Sequence, residues 1–188
     1  MTDEASVARF PATLTTPMKL VTYIVGYGVG VVLPAVLAVS LYVTSHRPWP
    51  FVLPLATITI FGVASLFRPL AFTVTRDELL VERPIGAVRI PLERIAAVTD
   101  AEEFFRGPTL GLFRVGGFYG TYGRFWNRGT GAFDLFLTGQ PELLAIRSSS
   151  RRPLVISPTD PERFVDALGR RARERGLSFP ISTPPASP

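Results

Sequence analysis

The chain has 188 residues, a net charge of +5 at pH 7 and 47% hydrophobic residues. It contains no cysteine and one histidine, His46, which excludes a disulfide framework, a thiolate nucleophile and a cysteine-based metal site. A chain of this length forms one domain, or one small domain with membrane-spanning segments, and the high hydrophobic content favours the second arrangement.

Two apolar segments near the N-terminus organise the chain. Residues 20–43 and 49–67 contain no Asp, Glu, Lys or Arg. At about 1.5 Å per residue, the first segment can cross a hydrocarbon core of about 30 Å. We predict a transmembrane helical hairpin over residues 19–68, preceded by a flexible tail over residues 1–18. A cleaved signal peptide is the competing interpretation, but the first segment is long and a second follows it at once.

The charges that flank the hairpin predict its orientation. A short connection makes the two helices antiparallel, so both chain ends lie on one side of the membrane. Only Arg47 lies in the connection, whereas basic residues surround the outer ends of the hairpin at Arg9, Lys19, Arg68 and Arg76. The excess of Lys and Arg in cytoplasmic segments therefore predicts that both termini are cytoplasmic.

Glycines inside the hairpin indicate a helix-packing face. Residues 26–30 superficially resemble a dinucleotide-binding loop, but the strand, soluble helix and acidic residue that such a loop requires are missing. Small residues spaced by four let neighbouring helix backbones approach closely. We therefore predict a packing face formed by Gly26, Gly30 and Gly62.

After Arg68 the hydrophobic period changes to two, which is typical of strands with one buried face. We predict a mainly β domain over residues 69–176 that ends in an amphipathic helix over residues 160–175. The tail at residues 177–188 is rich in Pro and Ser and is predicted to be disordered. The pattern gives seven short strands, at residues 70–74, 79–83, 87–90, 95–99, 132–138, 143–147 and 153–156.

Residues 107–131 contain eight glycines interleaved with aromatic residues, and no predicted strand. Two interpretations fit this segment. It is either a loop that cradles a ligand or touches the membrane, or an irregular bulged segment whose aromatic rings cap the β core. For the first interpretation the candidate ligand or partner residues are Gly116, Gly117, Phe118, Tyr119, Gly120 and Arg124.

Arginines near the C-terminus are candidates for contacts with an anionic surface. Basic side chains beside a membrane attract anionic headgroups, at roughly 1 kcal/mol each. A solvated surface explains these charges equally well, and nucleic acid is a weaker candidate because no nucleic-acid-binding motif is present. The candidates are Arg151, Arg152, Arg170 and Arg171.

The β segment resembles bacterial pleckstrin-homology-like domains. The resemblance is carried by residues 89–95, by the glycine-rich run at residues 116–125 and by residues 155–164 before the helix. It implies a PH-type barrel of about seven strands capped by a C-terminal α-helix, following one or two transmembrane helices in a bacterial plasma membrane. The family carries no catalytic residues that could be transferred to this chain.

The sequence therefore favours a membrane-anchored binding or scaffolding protein. We expect no enzyme activity, no metal and no cofactor, because no paired-carboxylate or Ser-His arrangement and no metal-ligand cluster is visible. The expected partners are the lipid bilayer and either a protein or an anionic lipid; a homo-oligomer stays open, and nucleic acid is not expected. The alternative is an integral accessory subunit or immunity-type factor that acts through its transmembrane hairpin.

Overall fold

The computed structural model describes residues 7–116, 119–139 and 142–182. Three groups of residues from the predictions lie outside the described part of the chain: residues 1–6 of the N-terminal tail, residues 183–188 of the C-terminal tail, and Gly117 with Phe118 of the candidate loop.

The hairpin consists of two long helices that are joined by residues 46–48. The first long helix, Thr16–Ser45, contains a π-helical part, Thr22–Val32, after which the Leu33 N–H donates to the Gly28 carbonyl. The second long helix, Trp49–Leu66, begins with a 3-10 turn over Trp49–Phe51. Both helices are long and apolar enough to cross a membrane.

The described residues form ten strands, three more than predicted. Shorter helices lie at Leu92–Arg94, Glu102–Phe105 and Pro161–Glu174, the last being the C-terminal helix. The strands are β1 (Ala8–Pro11), β2 (Ala71–Val74), β3 (Glu78–Glu82), β4 (Ala87–Pro91), β5 (Ile95–Asp100), β6 (Thr109–Gly116), β7 (Thr121–Asn127), β8 (Gly131–Leu137), β9 (Leu144–Ser148) and β10 (Leu154–Ile156).

The first sheet contains a strand from the predicted N-terminal tail. Its order is β1-β2-β3-β4, and β1 pairs antiparallel with β2 through Phe10 and Phe72. The prediction of a flexible tail is therefore wrong for Ala8–Pro11. The helical hairpin connects β1 to β2, and these two strands pair with each other. The outer ends of both long helices therefore lie beside the first sheet.

The second sheet corrects the prediction for residues 107–131. Its order is β5-β9-β10-β8-β7-β6, and the glycine-rich segment forms the antiparallel strands β6 and β7 with a bulge between Gly111 and Phe113. Among the described residues of this segment, most are paired in strands, so it is not one long loop; the predicted bulge is present, and Tyr122 and Phe125 are buried. β8 and β10 pair in parallel, and the two sheets do not close into the predicted barrel.

The C-terminal helix completes the hydrophobic core, as the sequence predicted. Phe164 and Leu168 are fully buried, and the Phe164 ring packs edge-on against Phe10 at a centroid distance of 5.4 Å. The helix begins one residue later than predicted because the Asp160 side chain caps it by accepting from the Arg163 N–H.

The segment after the C-terminal helix is also ordered. The Val98 N–H donates to the Pro180 carbonyl at 3.0 Å, and the Ser182 N–H donates to the Val98 carbonyl at 2.9 Å. Leu177 and Phe179 pack against the main core. The predicted disorder is therefore wrong for residues 177–182, which cover the otherwise unpaired edge of β5.

Candidate functional site

A cleft of about 780 Å³ lies between the last turns of the second long helix and the β6–β8 end of the second sheet. This volume is in the range of ligand-binding pockets. Thr59, Ile60, Val63, Ala64 and Phe67 of the helix form one wall. The cleft therefore exists only because the hairpin and the β domain pack side by side.

Most of the cleft surface is apolar. Besides the helix residues, Val88 of β4, Phe113 and Val115 of β6 and Phe136 of β8 line it. Phe113 is 79% exposed, which is unusual for a large aromatic side chain. A ligand that covered this surface would gain free energy from the removal of apolar area from water.

Four arginines supply the polar part of the cleft. Arg83 directly follows β3, Arg114 lies on β6, Arg124 on β7, and Arg151 lies in the turn before β10. Asp134 of β8 is the one acidic residue among the described lining, and its Oδ1 lies 3.6 Å from Arg124 Nε. Four guanidinium groups against one carboxylate leave three positive charges for an anion.

Arg83 brings a buried guanidinium nitrogen to the cleft. Its Nε is buried and has no hydrogen-bond partner among the described residues. Burial lowers the pKa of Arg83, and the charge of nearby Arg151 lowers this pKa further, against the opposite effect of Asp134. A bound anion would relieve both the desolvation and the repulsion between the two arginines.

Two tyrosine hydroxyl groups of the β domain form hydrogen bonds with the hairpin beside the cleft. Tyr122 Oη donates to the Ala64 carbonyl at 2.5 Å, and burial raises the pKa of Tyr122 to about 12. The Tyr119 hydroxyl forms a hydrogen bond with the Tyr27 hydroxyl, and the Arg68 guanidinium lies 4.6 Å from the centre of the Tyr119 ring. Tyr122 therefore connects β7 to the second long helix, and Tyr119 connects the segment before β7 to the first long helix.

The glycine-rich segment has mainly a structural role in the described residues. Gly120 and Gly123 have φ angles of +112° and +132°, and a Cβ at either would collide with a backbone carbonyl, of Leu137 or Phe113 respectively. Of the candidate loop residues, Arg124 lines the cleft. Gly116, Tyr119 and Gly120 do not.

The four candidate surface arginines are not brought together. Arg151 lines the cleft, and its Nη1 donates to the Arg89 carbonyl at 3.0 Å. Arg152 is exposed outside the cleft. Arg170 and Arg171 lie on the C-terminal helix, where Arg171 Nη1 is 2.7 Å from Glu174 Oε2.

Arg83 and Arg114 are the cleft residues that sequence reasoning missed. Each stands alone in its local segment, so no motif marks them. The signal that could have found Arg114 is its place in a strand, where an arginine between Phe113 and Val115 lies on the opposite face from both of them. That signal depends on recognising β6, which the glycines concealed.

The predicted glycine face is only partly present. A Cβ at Gly30 would lie 2.6 Å from the Phe61 ring, so Gly30 packs closely against the second long helix. Gly26 is buried. Gly62 is exposed, and a Cβ there would meet nothing within 4 Å, so Gly62 does not belong to the contact between the two helices.

Comparison with known proteins identifies the family of the β domain. Residues 70–172, more than half of the chain, match the family model described as "Bacterial PH domain". No curated protein and no solved structure matches the chain. Within the described residues, no group of three His, Asp or Glu side chains is placed to hold a metal ion.

Proposed function

Because the chain belongs to the bacterial PH domain family, we propose that it is a membrane-anchored, non-enzymatic binding protein. PH domains are generally binding modules without catalysis, and the proposal adds that the helical hairpin anchors this one in the bacterial plasma membrane. The observation that carries it is that the second long helix forms one wall of the arginine-containing cleft. In this proposal the helix that anchors the protein also forms part of its binding site.

The exposed apolar surface of both long helices supports the anchor. Only 11% of the most apolar part of each helix is buried. A core helix of a water-soluble protein would be covered by other side chains, whereas side chains such as Val52, Leu55 and Ile60 are each about two-thirds exposed here. A bilayer would cover them and leave the polar sheets in water.

The position of the β domain supports an orientation with both termini in the cytoplasm. β1 precedes the hairpin and pairs with β2, which follows it, so the basic residues at both outer ends belong to the same side. Arg9, Lys19, Arg68 and Arg76 lie there, against Arg47 in the connection. The proposal places that basic side in the cytoplasm.

Fractionation and reporter fusions test the proposed function. The full-length protein should stay in the membrane fraction after alkaline carbonate extraction, and a C-terminal reporter that is active only in the cytoplasm should be active. Extraction of most of the protein by carbonate, or activity of only an external reporter, would refute the anchor or its orientation. Cross-linking followed by isolation in mild detergent then identifies what the anchored domain binds.

The exposed position of Gly62 favours a second candidate function. A glycine on an apolar helix with open space around it allows another helix to approach closely. The chain would then act as an integral accessory subunit or immunity-type factor through its hairpin. Gly62→Leu should abolish such a function and leave the cleft unchanged, whereas Gly30→Leu would clash with Phe61 inside the hairpin itself.

A further inference from the structure

We propose that the cleft holds one anionic phospholipid of the surrounding bilayer. The phosphate group contacts Arg83, Arg114 and Arg151, and an acyl chain lies along Ile60 and Val63 of the second long helix. The inference rests on the proposed membrane anchor and names the ligand of the same site.

The arrangement of the arginines fits one phosphate group. Arg124 faces Asp134, so its charge is partly compensated within the domain. Arg83 and Arg114 form no ion pair with any described residue, and Arg151 uses Nη1 for a backbone carbonyl. Guanidinium groups bind phosphate through paired charge-assisted hydrogen bonds, which are stronger than neutral ones. The buried Nε of Arg83 would receive the partner that it lacks.

The apolar wall fits a hydrocarbon chain. From Thr59 to Phe67 the lining follows the helix for about 12 Å at 1.5 Å per residue. Ile60 and Val63 line the cleft and are 65% and 51% exposed, so the surface continues from the cleft onto the lipid-facing side of the helix. A chain leaving the cleft along this surface stays in the bilayer without crossing water.

A soluble anion or an acidic protein segment would use only part of this site. Free phosphate would occupy the arginines and leave Phe113, Val115 and Ile60 in contact with water. An acidic peptide would have to enter beside a helix that the membrane surrounds. A phospholipid carries both chemistries in one molecule and is present on that side of the helix at high local concentration.

Native mass spectrometry of the full-length protein tests the proposal. Delipidated protein in an uncharged detergent is mixed with dioleoylphosphatidylglycerol, with dioleoylphosphatidylcholine, or with soluble glycerol phosphate. We expect one phosphatidylglycerol molecule to stay bound, with at least tenfold less retention of phosphatidylcholine. Glycerol phosphate should not displace the lipid at equal concentration.

Two pairs of variants locate the binding. Arg114→Gln with Arg151→Gln removes two cleft arginines, and Arg152→Gln with Arg170→Gln removes the same charge outside the cleft. The first pair should reduce retention of phosphatidylglycerol by about tenfold or more, since each charge-assisted hydrogen bond is worth more than a neutral one. Val63→Trp should also reduce it by filling the apolar wall, whereas Val52→Trp, on the same helix outside the cleft, should not.

Several results would overturn the proposal. Equal loss in both arginine pairs would mean that net charge alone attracts the lipid. Equal retention of phosphatidylcholine, or no retained lipid, would exclude an anionic phospholipid site, and displacement by glycerol phosphate would identify a soluble phosphate ligand instead. Stable membrane integration without lipid retention would reject this inference and keep the proposed function. Extraction by carbonate would reject the proposed function itself, whatever the lipid measurement shows.

Discussion

The C-terminal helix and the second long helix both contact the β-sheets, but the surfaces of the two helices differ. One helix is amphipathic and the other is apolar all round. The C-terminal helix buries one apolar face, including Phe164 and Leu168, and presents charged residues to water. The second long helix is apolar on all sides, and only its prolines at positions 50 and 54 are buried.

The difference explains why one contact is closed and the other contains a cleft. An amphipathic helix gains most free energy when its whole apolar face is covered by protein, so it packs tightly. A helix that is apolar all round gains the same free energy from lipid, so nothing forces its contact with the domain to close. The cleft lies at the contact that packing alone does not fill.

Truncation of Phe164 should produce the largest effect. Phe164→Ala removes a fully buried ring from the closed contact and should lower the free energy of unfolding by about 3–5 kcal/mol. Denaturant unfolding of the full-length protein in detergent, followed by near-UV circular dichroism, measures the loss. Arg170→Ala, exposed on the same helix, is the control and should stay within about 0.5 kcal/mol. A small effect of Phe164→Ala would mean that this contact is not closed either.

A charge on the second long helix should have the next largest effect. Ile58 and Ile85 are 51% and 52% exposed, so they form a matched pair. If lipid covers the helix, Ile58→Arg should make membrane insertion less favourable by about 2.5–3.5 kcal/mol. Ile85→Arg, in a turn of the β domain, should leave it unchanged. A membrane-insertion assay compares the two, and equal effects would place both side chains in the same solvent.

Removal of the Tyr122 hydroxyl should weaken the contact between the β domain and the second long helix, with a smaller effect than the two changes above. Tyr122→Phe deletes the hydrogen bond to the Ala64 carbonyl and should cost about 0.5–1.5 kcal/mol. Tyr42→Phe, inside the hairpin, is the control. If the carbonyl regains a water partner, the cost falls to the low end of this range, so its size measures how dry the contact is.

The same tyrosine predicts a loss of stability at alkaline pH. The pKa of Tyr122 is raised from 10 to about 12 in the folded protein, mainly by burial. Between these pH values the unfolded chain releases the proton and the folded chain keeps it, so the free energy of unfolding falls as pH rises from 10 to 12. Tyr122→Phe should flatten the decline, and Tyr119, whose pKa is also about 12, should account for part of the remainder. If the free energy of unfolding of Tyr122→Phe fell with pH as steeply as that of the unchanged protein, the Tyr122 hydroxyl would not be the group responsible.

The ion pair at the edge of the first sheet should have the smallest effect. Arg9 Nη2 lies 2.7 Å from Glu82 Oε2, with the Arg9 side chain 62% exposed. Arg9→Gln should cost about 0.2–1 kcal/mol at low salt and less at high salt. The Thr73 hydroxyl, and next Arg9, lower the pKa of Glu82, so stability present above pH 4.5 is lost as pH falls through the folded pKa. An acid titration of Arg9→Gln should show a smaller loss.

Several elements could be predicted from the sequence because their signals are local. The two apolar segments, the seven strands with period-two patterns and the C-terminal helix were all found near their observed positions. β1 was missed because four residues with one phenylalanine carry no strand signal, and they pair only after the hairpin returns the chain to β2. β6 and β7 were missed because glycine has a low strand propensity, although here Gly123 permits the close approach of the two strands.

The amino-acid sequence by itself determined the apolar hairpin, the β domain after it and the family to which that domain belongs. The hairpin and the β domain depend on hydropathy and periodicity, which neighbouring residues along the chain define, and the family follows from the match of residues 70–172 to its model. Only the tertiary structure decided that Arg83, Arg114, Arg124 and Arg151 meet at one cleft and that Arg170 and Arg171 do not join them. The physical reason is that a binding site is a property of contacts in space, and these four side chains come from four separate segments of two sheets, which strand pairing and the packing of the sheets bring together.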